Sequence, residues 1–336
     1  MAPAIADGVT AAPRARRTLA RVTHAAPLAT LAAELDGAPA GAVCRRGPDG
    51  ALRRAEPGPA GPLVLAAHPA GDVTEITLWG PAATPGPAID AAVEAALAWC
   101  GARDDPSALA DLAATDRRIA ALLAATGPVR LSRVPRLEEA LGRAVIGQLV
   151  QRVEARRSCA QLATAVGTAA DGLWAWPTPQ QLGSTPSWSL RRCGISGRGA
   201  RSLHAASLEH GALVTAAARG WATLDARLRT LPGVGVWTSA ETRLALGDPD
   251  AVSVGDANLP ALIAHVLGGC GGDGAARRRA RPPHEASDEE MLEVLEPFQG
   301  QRGRVVTLVK RAVGMRVVAG PPRRAPRAAL SAHRYW

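Results

Sequence analysis

One short stretch decides the interpretation of this chain: Leu231-Pro232-Gly233-Val234-Gly235-Val236-Trp237-Thr238. Two glycines flank one apolar residue, between a helical pattern that ends near Leu231 and another that starts near Val236. Because glycine permits positive φ and close backbone approach, such a turn can aim several N–H groups outward at the start of the next helix. The stretch therefore predicts a helical hairpin that binds a phosphate without reading sequence. A plain helix–helix turn, which also favours glycine, is the alternative.

Helical spacing dominates the chain on both sides of this hairpin, from Asp104 onward, where the β pattern nearly vanishes. Apolar and amide residues follow one predicted helix face at intervals of three or four, namely Leu137, Leu141, Val145 and Gln148. Further helices are predicted over 153–166, 179–182, 200–208 and 224–231. Candidate caps at or near helix starts are Ser107, Ser132 and Thr178, and Ser287 with Glu290 forms a capping-box pattern.

The N-terminal part has a different pattern, with short β-like runs at 19–22, 63–66 and 75–78 separated by Gly, Pro and Asp turns. Pro87 then opens an Ala-rich helix that ends at Gly101. The predicted fold is mainly α, an all-helical domain preceded by a small α+β domain. The predicted ranges are a disordered leader (1–14), the α+β domain (15–103), the helical domain (104–319) with a flexible insertion (268–286), and a basic disordered tail (320–336).

The charge composition indicates which class of molecule the protein binds. The 39 Lys and Arg residues outnumber the 30 Asp and Glu residues and give a formal charge of +9, which favours a polyanion such as nucleic acid. Much of the excess lies in the predicted disordered segments, so solvated tails are the alternative explanation. The five cysteines show neither paired nor zinc-binding spacing, which predicts a reduced, cytoplasmic protein. No segment has the apolar length of a membrane span or the pattern of a secretion signal, so no membrane association is expected.

Several motifs appear in an order typical of one family. After the segment 144–150 (AVIGQLV) come 177–182 (PTPQQL), 194–195 (GI) with 198–203 (RGARSL), the hairpin, Asp256 and finally 295–299 (LEPFQ). In this order they resemble the helix-hairpin-helix/Gly-Pro-Asp superfamily of base-excision DNA glycosylases, and within it the 3-methyladenine DNA glycosylase II group. The resemblance covers about 105–318. In the last motif, W-x-P-W-R in the family, Leu295 and Phe298 replace tryptophans and Gln299 replaces the arginine. The N-terminal domain occupies the position of that group's TATA-binding-protein-like domain.

The resemblance implies a monofunctional glycosylase that flips an alkylated purine out of double-stranded DNA and hydrolyses its N-glycosidic bond. Asp256 takes the position of the catalytic carboxylate, for which a helix N-cap is the alternative role. Leu149 takes the position of the apolar wedge that fills the gap left by the flipped nucleotide. Trp237 replaces the Schiff-base lysine of strand-cutting relatives, so lyase chemistry is not expected. The remaining residues expected to contact DNA are Leu231, Gly233, Val234, Gly235 and Thr238.

The expected base pocket departs from the family. Besides Trp237 and Gln148 it contains Glu241 and Lys310, at positions where the nearest group has base-stacking aromatics. No cysteine follows Cys270, so no iron–sulfur cluster is expected. No cofactor is expected, although a structural monovalent cation at the hairpin is compatible with the motif. A monomer associated with the nucleoid is expected.

Two other functions fit parts of the sequence. A noncatalytic damage sensor would keep the hairpin without a working pocket, and the lost family aromatics favour it. An endonuclease-III-like lyase conflicts with Trp237 and the missing cluster cysteines. The identity of the lesion and the opposite-base preference stay open.

Overall fold

The computed structural model describes residues 17–24, 43–71, 73–268 and 286–321. The predicted leader, the basic tail from residue 322 and nearly all of the predicted insertion lie outside these residues. Within them, five strands form one antiparallel sheet of order β1-β5-β4-β3-β2. These strands are β1 (Arg17–His24), β2 (Cys44–Arg46), β3 (Leu52–Glu56), β4 (Leu63–Ala70) and β5 (Val73–Gly80).

Both faces of this sheet are covered by other elements. This explains why the apolar residues of β4 form a continuous run and do not alternate with polar residues. On one face Leu65, Ile76 and Leu78 pack against helix α1 (Gly86–Trp99). On the other face Val64 of β4 joins Leu173 of a hairpin made by β6 (Thr168–Ala170) and β7 (Leu173–Ala175). The three predicted N-terminal strands and the Pro87 helix are confirmed, whereas β2 and β3 were not predicted.

The β6–β7 hairpin is a departure from the nearly all-helical pattern expected after Asp104. Its turn residues Asp171 and Gly172 have φ of 49° and 68°, the left-handed values that tight hairpins require. The described chain therefore combines helices with small antiparallel sheets in both of its parts. The exact boundary predicted at 103/104 stays a prediction.

Thirteen further α-helices follow α1 in the described residues. They are α2 (Ser107–Thr115), α3 (Arg117–Thr126), α4 (Leu137–Ile146), α5 (Arg152–Val166), α6 (Pro179–Ser184), α7 (Ser187–Arg192), α8 (Gly197–Leu208), α9 (His210–Ala218), α10 (Trp221–Leu228), α11 (Val236–Ala245), α12 (Leu259–Leu267), α13 (Asp288–Leu295) and α14 (Arg302–Gly314). A 3₁₀ turn (Glu296–Phe298) joins the last two. No helix among the described residues combines the length and apolarity that a membrane crossing needs.

The predicted caps have mixed outcomes. Thr178 and Ser287 each form a complete capping box, at α6 and α13. Ser132 caps no helix, because its hydroxyl donates to the carbonyl of Trp99 and α4 starts only at Leu137. Ser107 is the first residue of α2, and its hydroxyl contacts Asp105 instead of the helix backbone.

The helices enclose two apolar clusters. The first joins α4, α5, α8 and α10 around Trp176 and also buries Leu231 and Val234 of the hairpin turn. The second joins α2, α3, α12, α13 and α14 around Phe298. Helix α11 packs on α4, and the segment from α11 to α12 leads from the first cluster to the second. The hairpin turn therefore packs in the first cluster, and Asp256 lies in the segment that connects the two clusters.

Candidate nucleic-acid interface and active site

The hairpin turn is anchored by its apolar residues and exposes its glycine backbone. The amide of Leu231 donates to the carbonyl of Leu228 at 3.1 Å, and that of Val234 to the carbonyl of Leu231 at 3.2 Å. The side chains of Leu231, Val234 and Thr238 are buried, so only their backbone could reach a ligand. The first hairpin helix ends at Leu228 rather than near Leu231, and the second starts at Val236 as predicted.

The two glycines differ in what they require. Gly233 has φ +80°, and a Cβ there would lie 2.5 Å from the hydroxyl oxygen of Ser202. Gly235, the N-cap of α11, has ordinary extended backbone and no neighbour within 4 Å of its would-be Cβ. Since α11 has no side-chain cap, the N–H groups of its first turn remain available to an anion.

A polar cluster that the motifs did not predict ties the two hairpin helices together. The carboxylate of Asp225 on α10 accepts a hydrogen bond of 2.6 Å from the Ser239 hydroxyl of α11. The same carboxylate lies 3.4 Å from the guanidinium of Arg243 and 3.6 Å from that of Arg229. The i,i+4 spacing of Asp225 and Arg229 is the one signal that the sequence offered for it. The cluster fixes the angle at which α11 presents its N-terminus.

Gln148 connects the hairpin with the end of α4. Its side-chain amide donates to the carbonyl of Gly233 at 2.9 Å and to the hydroxyl of Thr238 at 2.7 Å. The predicted helix face through Gln148 is therefore wrong at its end, because α4 stops at Ile146 and frees this amide to reach the hairpin. The residue that follows Gln148 in the chain is thereby held close to the hairpin turn.

That next residue is Leu149, which lies in a loop and not on a helix as the motif match assumed. Its φ is 59°, a left-handed value that is uncommon for a residue with a side chain. Its side chain is 84 % exposed, beside the likewise solvent-facing Val153 at the start of α5. A role in core packing therefore does not explain why a leucine occurs here. The left-handed backbone directs its side chain outward, next to the hairpin.

Asp256 performs two contacts at once. Its Oδ1 accepts hydrogen bonds from the amide of Asn258, the N-cap of α12, at 2.8 Å and from that of Leu259, the first residue of α12, at 2.9 Å. Its Oδ2 faces the indole N–H of Trp237 at 3.4 Å. The N-cap role given as the alternative is therefore not confirmed, because α12 begins at Leu259 and its N-cap is Asn258. Oδ1 is nevertheless held by backbone amides just before the helix, and the second oxygen is directed toward the hairpin helix. The other carboxylates near the hairpin are engaged elsewhere, Asp248 with Arg243 and Asp250 with Arg302.

The fold brings only some of the four predicted pocket residues close to one another. The ring of Trp237 lies beside Gly147, the residue before Gln148, and is 3.6 Å from the point that a Cβ on this glycine would occupy. Glu241 accepts a hydrogen bond from the Ser253 hydroxyl, in the segment that leads to Asp256. Lys310 is exposed on α14, and among the described residues no ion pair joins it to Glu241. The side chains of Leu295 and Phe298, in the final motif, are buried in the second core.

No metal-binding cluster of His, Cys, Asp and Glu occurs among the residues that the structure describes. The expectations of no iron–sulfur cluster and of a cation at the hairpin stay predictions.

No protein-family model matches this sequence, and no curated protein matches it either. Solved structures do share its fold. The 3-methyladenine DNA-glycosylase from Archaeoglobus fulgidus is 17 % identical with a TM-score of 0.69, covering 88 % of this chain and 99 % of its own. MBOgg1 in complex with a low affinity DNA ligand is 13 % identical with a TM-score of 0.63, covering 90 % and 99 %.

A third similar structure is the Clostridium acetobutylicum 8-oxoguanine glycosylase/lyase bound to double-stranded DNA. It is 12 % identical with a TM-score of 0.59, covering 82 % of this chain and 88 % of its own. These similarities extend across both the N-terminal sheet and the helical part. The chain therefore has the fold of the helix-hairpin-helix/Gly-Pro-Asp DNA glycosylases, the family that its motifs resemble.

Proposed function

We propose that this chain is a monofunctional DNA N-glycosylase that removes an alkylated purine from double-stranded DNA and leaves an abasic site. The observation that carries the proposal is the Asp256 carboxylate, with one oxygen fixed by the α12 backbone and the other turned toward Trp237. The similar structures named above support it, since they are DNA glycosylases. We propose a monomer that acts at the nucleoid, with mainly helical structure after a TATA-binding-protein-like N-terminal sheet.

The chemistry needs one well-placed anion. Hydrolysis of an N-glycosidic bond passes through a sugar with oxocarbenium character, which a nearby carboxylate stabilises. Oδ2 of Asp256 supplies that charge, and it can also accept a proton from the attacking water. Because Oδ1 is held by two backbone amides, the carboxylate needs little reorganisation when the cation forms.

Trp237 argues against strand cleavage. An indole cannot form a Schiff base with C1′ of the sugar, whereas its ring can stack against an extruded base. Mixing the protein with damaged duplex and borohydride should trap no covalent adduct, and strand breaks should appear only after alkali or heat. An adduct mapping to a lysine would favour the endonuclease-III-like alternative.

The deciding experiment measures base release from duplexes that contain single alkylated, deaminated or oxidised bases. Release of an alkylated purine would establish the activity and identify the substrate together. Tight binding to damaged duplex without release of any base would favour the noncatalytic sensor.

The Leu149 wedge gives a prediction about flipping. We expect Leu149→Ala to lower the single-turnover rate of lesion excision about 10-fold, since the gap left by the flipped nucleotide would no longer be filled and unstacking costs a few kcal/mol. Affinity for undamaged duplex should change much less. Val153→Ala, which removes a neighbouring exposed apolar side chain, is the matched control. Equal losses in both variants would assign the effect to general surface apolarity.

The hairpin gives the opposite prediction. We expect Gly235→Asp to weaken binding to damaged and undamaged duplex alike by about 10-fold, because it places a negative charge at a phosphate site worth roughly 1–2 kcal/mol. The substitution is sterically free, since nothing lies within 4 Å of the Cβ position. Gly233 is unsuitable because any side chain there is strained. Gly235→Ala, which adds no charge, is the control, and a loss confined to damaged duplex would contradict phosphate binding.

Glu241 gives a prediction about selectivity. A carboxylate attracts a cationic base through charge, where two aromatic rings would act by stacking. We therefore expect weak activity on 3-methyladenine relative to bulkier or N7-substituted purines. Glu241→Gln should change the ratio of their excision rates, while its amide oxygen can still accept the Ser253 hydrogen bond. An unchanged ratio, or 3-methyladenine as the best wild-type substrate, would reject this role.

A further inference from the structure

A second carboxylate is bound to the residue that precedes Asp256. The backbone N–H of Gly255 donates to both carboxylate oxygens of Asp288, at 3.1 Å and 3.0 Å. Gly255 has φ +88°, so the chain turns sharply just before it delivers the Asp256 side chain. The hydrogen bond therefore acts at the point where the direction of Asp256 is set.

Asp288 is itself held in place. It is the first residue of α13, directly after the N-cap Ser287. The hydroxyl of Ser287 accepts from the amide of Glu290 at 3.2 Å, and the Glu290 carboxylate accepts from the amide of Ser287 at 2.8 Å. This capping box fixes the backbone on both sides of Asp288.

The core completes the connection. Met291 and Leu295 of α13 pack with Leu259 and Ile263 of α12 in the second apolar cluster. Helix α12 is the one whose first amide, that of Leu259, donates to Asp256. The turn at Gly255 is thus held between two packed helices, by Asp256 at the start of one and by Asp288 at the start of the other.

We propose that Asp288 is a positioning residue for Asp256, acting through its hydrogen bond to Gly255. This inference rests on the proposed glycosylase function. A charge-assisted hydrogen bond is stronger than a neutral one, and here it holds a peptide unit next to the reacting carboxylate. Without it the turn can rotate, and Oδ2 of Asp256 loses its direction toward Trp237. None of the motifs quoted above contains Asp288, and only the fold brings it to Gly255.

Two substitutions at Asp288 separate the hydrogen bond from the charge. Asp288→Ala removes both, whereas Asp288→Asn removes the charge and keeps an amide oxygen as acceptor. Glu289→Ala is the matched control, because it removes an exposed carboxylate from the same first turn of α13. Thermal unfolding of each variant checks that the fold is retained.

Two readouts report on Asp256. One is the single-turnover rate of base release from alkylated duplex. The other is the ratio of affinities for two abasic duplexes, one with a pyrrolidine ring that carries a positive charge and one with neutral tetrahydrofuran. The pyrrolidine imitates the cationic sugar, so the ratio measures how well the carboxylate faces that charge.

We expect Asp288→Ala to lower the rate and the pyrrolidine preference about 10- to 100-fold, since misplaced catalytic groups cost that much. Affinity for the tetrahydrofuran duplex should stay within about 2-fold, because the hairpin is untouched. Asp288→Asn should recover most of the loss, and Glu289→Ala should behave like the wild type. The double variant Asp256→Asn/Asp288→Ala should be no slower than Asp256→Asn alone, because the two residues act as a unit.

The outcomes that overturn the inference are distinct from those that overturn the function. An active wild type with an unimpaired Asp288→Ala variant would refute the positioning role alone. An Asp288→Asn variant as slow as Asp288→Ala would refute action through the hydrogen bond. A wild type that releases no base and shows no pyrrolidine preference would refute the glycosylase function itself.

Discussion

Replacing Asp256 with Asn should lower the single-turnover rate of base release about 100- to 1,000-fold, the size of effect seen when one electrostatic group is removed from a preorganised site. The carboxylate acts on charge that develops in the transition state, so its loss should leave ground-state binding almost intact. Affinity for tetrahydrofuran duplex, measured by fluorescence anisotropy, should therefore stay within about 2-fold of the wild type, since phosphate contacts provide most of it.

The choice of Asn follows from the geometry of the site. Oδ1 of Asp256 accepts hydrogen bonds from two backbone amides at the start of α12, and the amide oxygen of Asn can accept the same bonds. Asp256→Ala would lose these hydrogen bonds as well, at about 1 kcal/mol of stability, so a lower rate would have two causes. If these backbone hydrogen bonds were the only role of Asp256, Asp256→Asn would be fully active and Asp256→Ala merely less stable. Asp111→Asn, at an exposed carboxylate on α2, controls for net charge.

The parts of the site that were predictable have local causes. A glycine pair between two helical patterns determines its own turn, and α11 starts at Val236 as that pattern requires. Helix caps likewise depend on residues close in sequence: the cap at Thr178 and the capping box at Ser287 were predicted correctly. The fold of the helical part followed from the order of such motifs.

The parts that were missed have other causes. The motif match located Leu149 in the chain but put it on a helix, because propensity does not reveal that α4 stops at Ile146 and that Leu149 is left-handed. The β6–β7 hairpin has strands of only three residues, too short for alternation to be recognised. Its Asp171-Gly172 turn was the available signal.

Polar pairs between residues far apart in the chain were also not predicted, because the local sequence does not indicate the partner of a charged residue. The clearest example is Arg54 of β3, which contacts Glu139 on α4, 85 residues further along the chain, and also Glu56. Arg136 binds Glu56 at 2.9 Å and Arg143 binds Glu139 at 2.7 Å. These charges join the N-terminal sheet to the helix that leads into the Leu149 loop.

Breaking this network should cost the protein a large part of its stability. Arg54 is 1 % exposed and Glu139 is 0 % exposed. Burial alone would lower the pKa of Arg54, but Glu139 and Glu56 raise it above its ordinary value, so Arg54 stays charged. Arg54→Met should cost roughly 3–5 kcal/mol of unfolding free energy, because two buried carboxylates would lose their shared partner. Urea unfolding followed by tryptophan fluorescence measures this loss. The adjacent Arg53→Met, whose pair with Asp49 is exposed, should change little.

The pH dependence of the loss tests its electrostatic cause. In the wild type, burial raises the pKa of Glu56, while Arg54 and Arg143 hold the pKa of Glu139 below its ordinary value although burial raises it. Without Arg54 we expect both carboxyl groups to bind protons more readily in the folded state than in the unfolded state. A carboxyl group whose pKa is higher in the folded state stabilises the fold at low pH. This contribution is lost as the pH rises through the folded-state pKa. The loss of unfolding free energy caused by Arg54→Met should therefore be smaller at pH about 5 than at pH about 7. Adding Glu139→Gln to Arg54→Met should restore part of the lost unfolding free energy. An equal loss at both pH values would instead assign the effect to lost packing of Arg54 against Trp99.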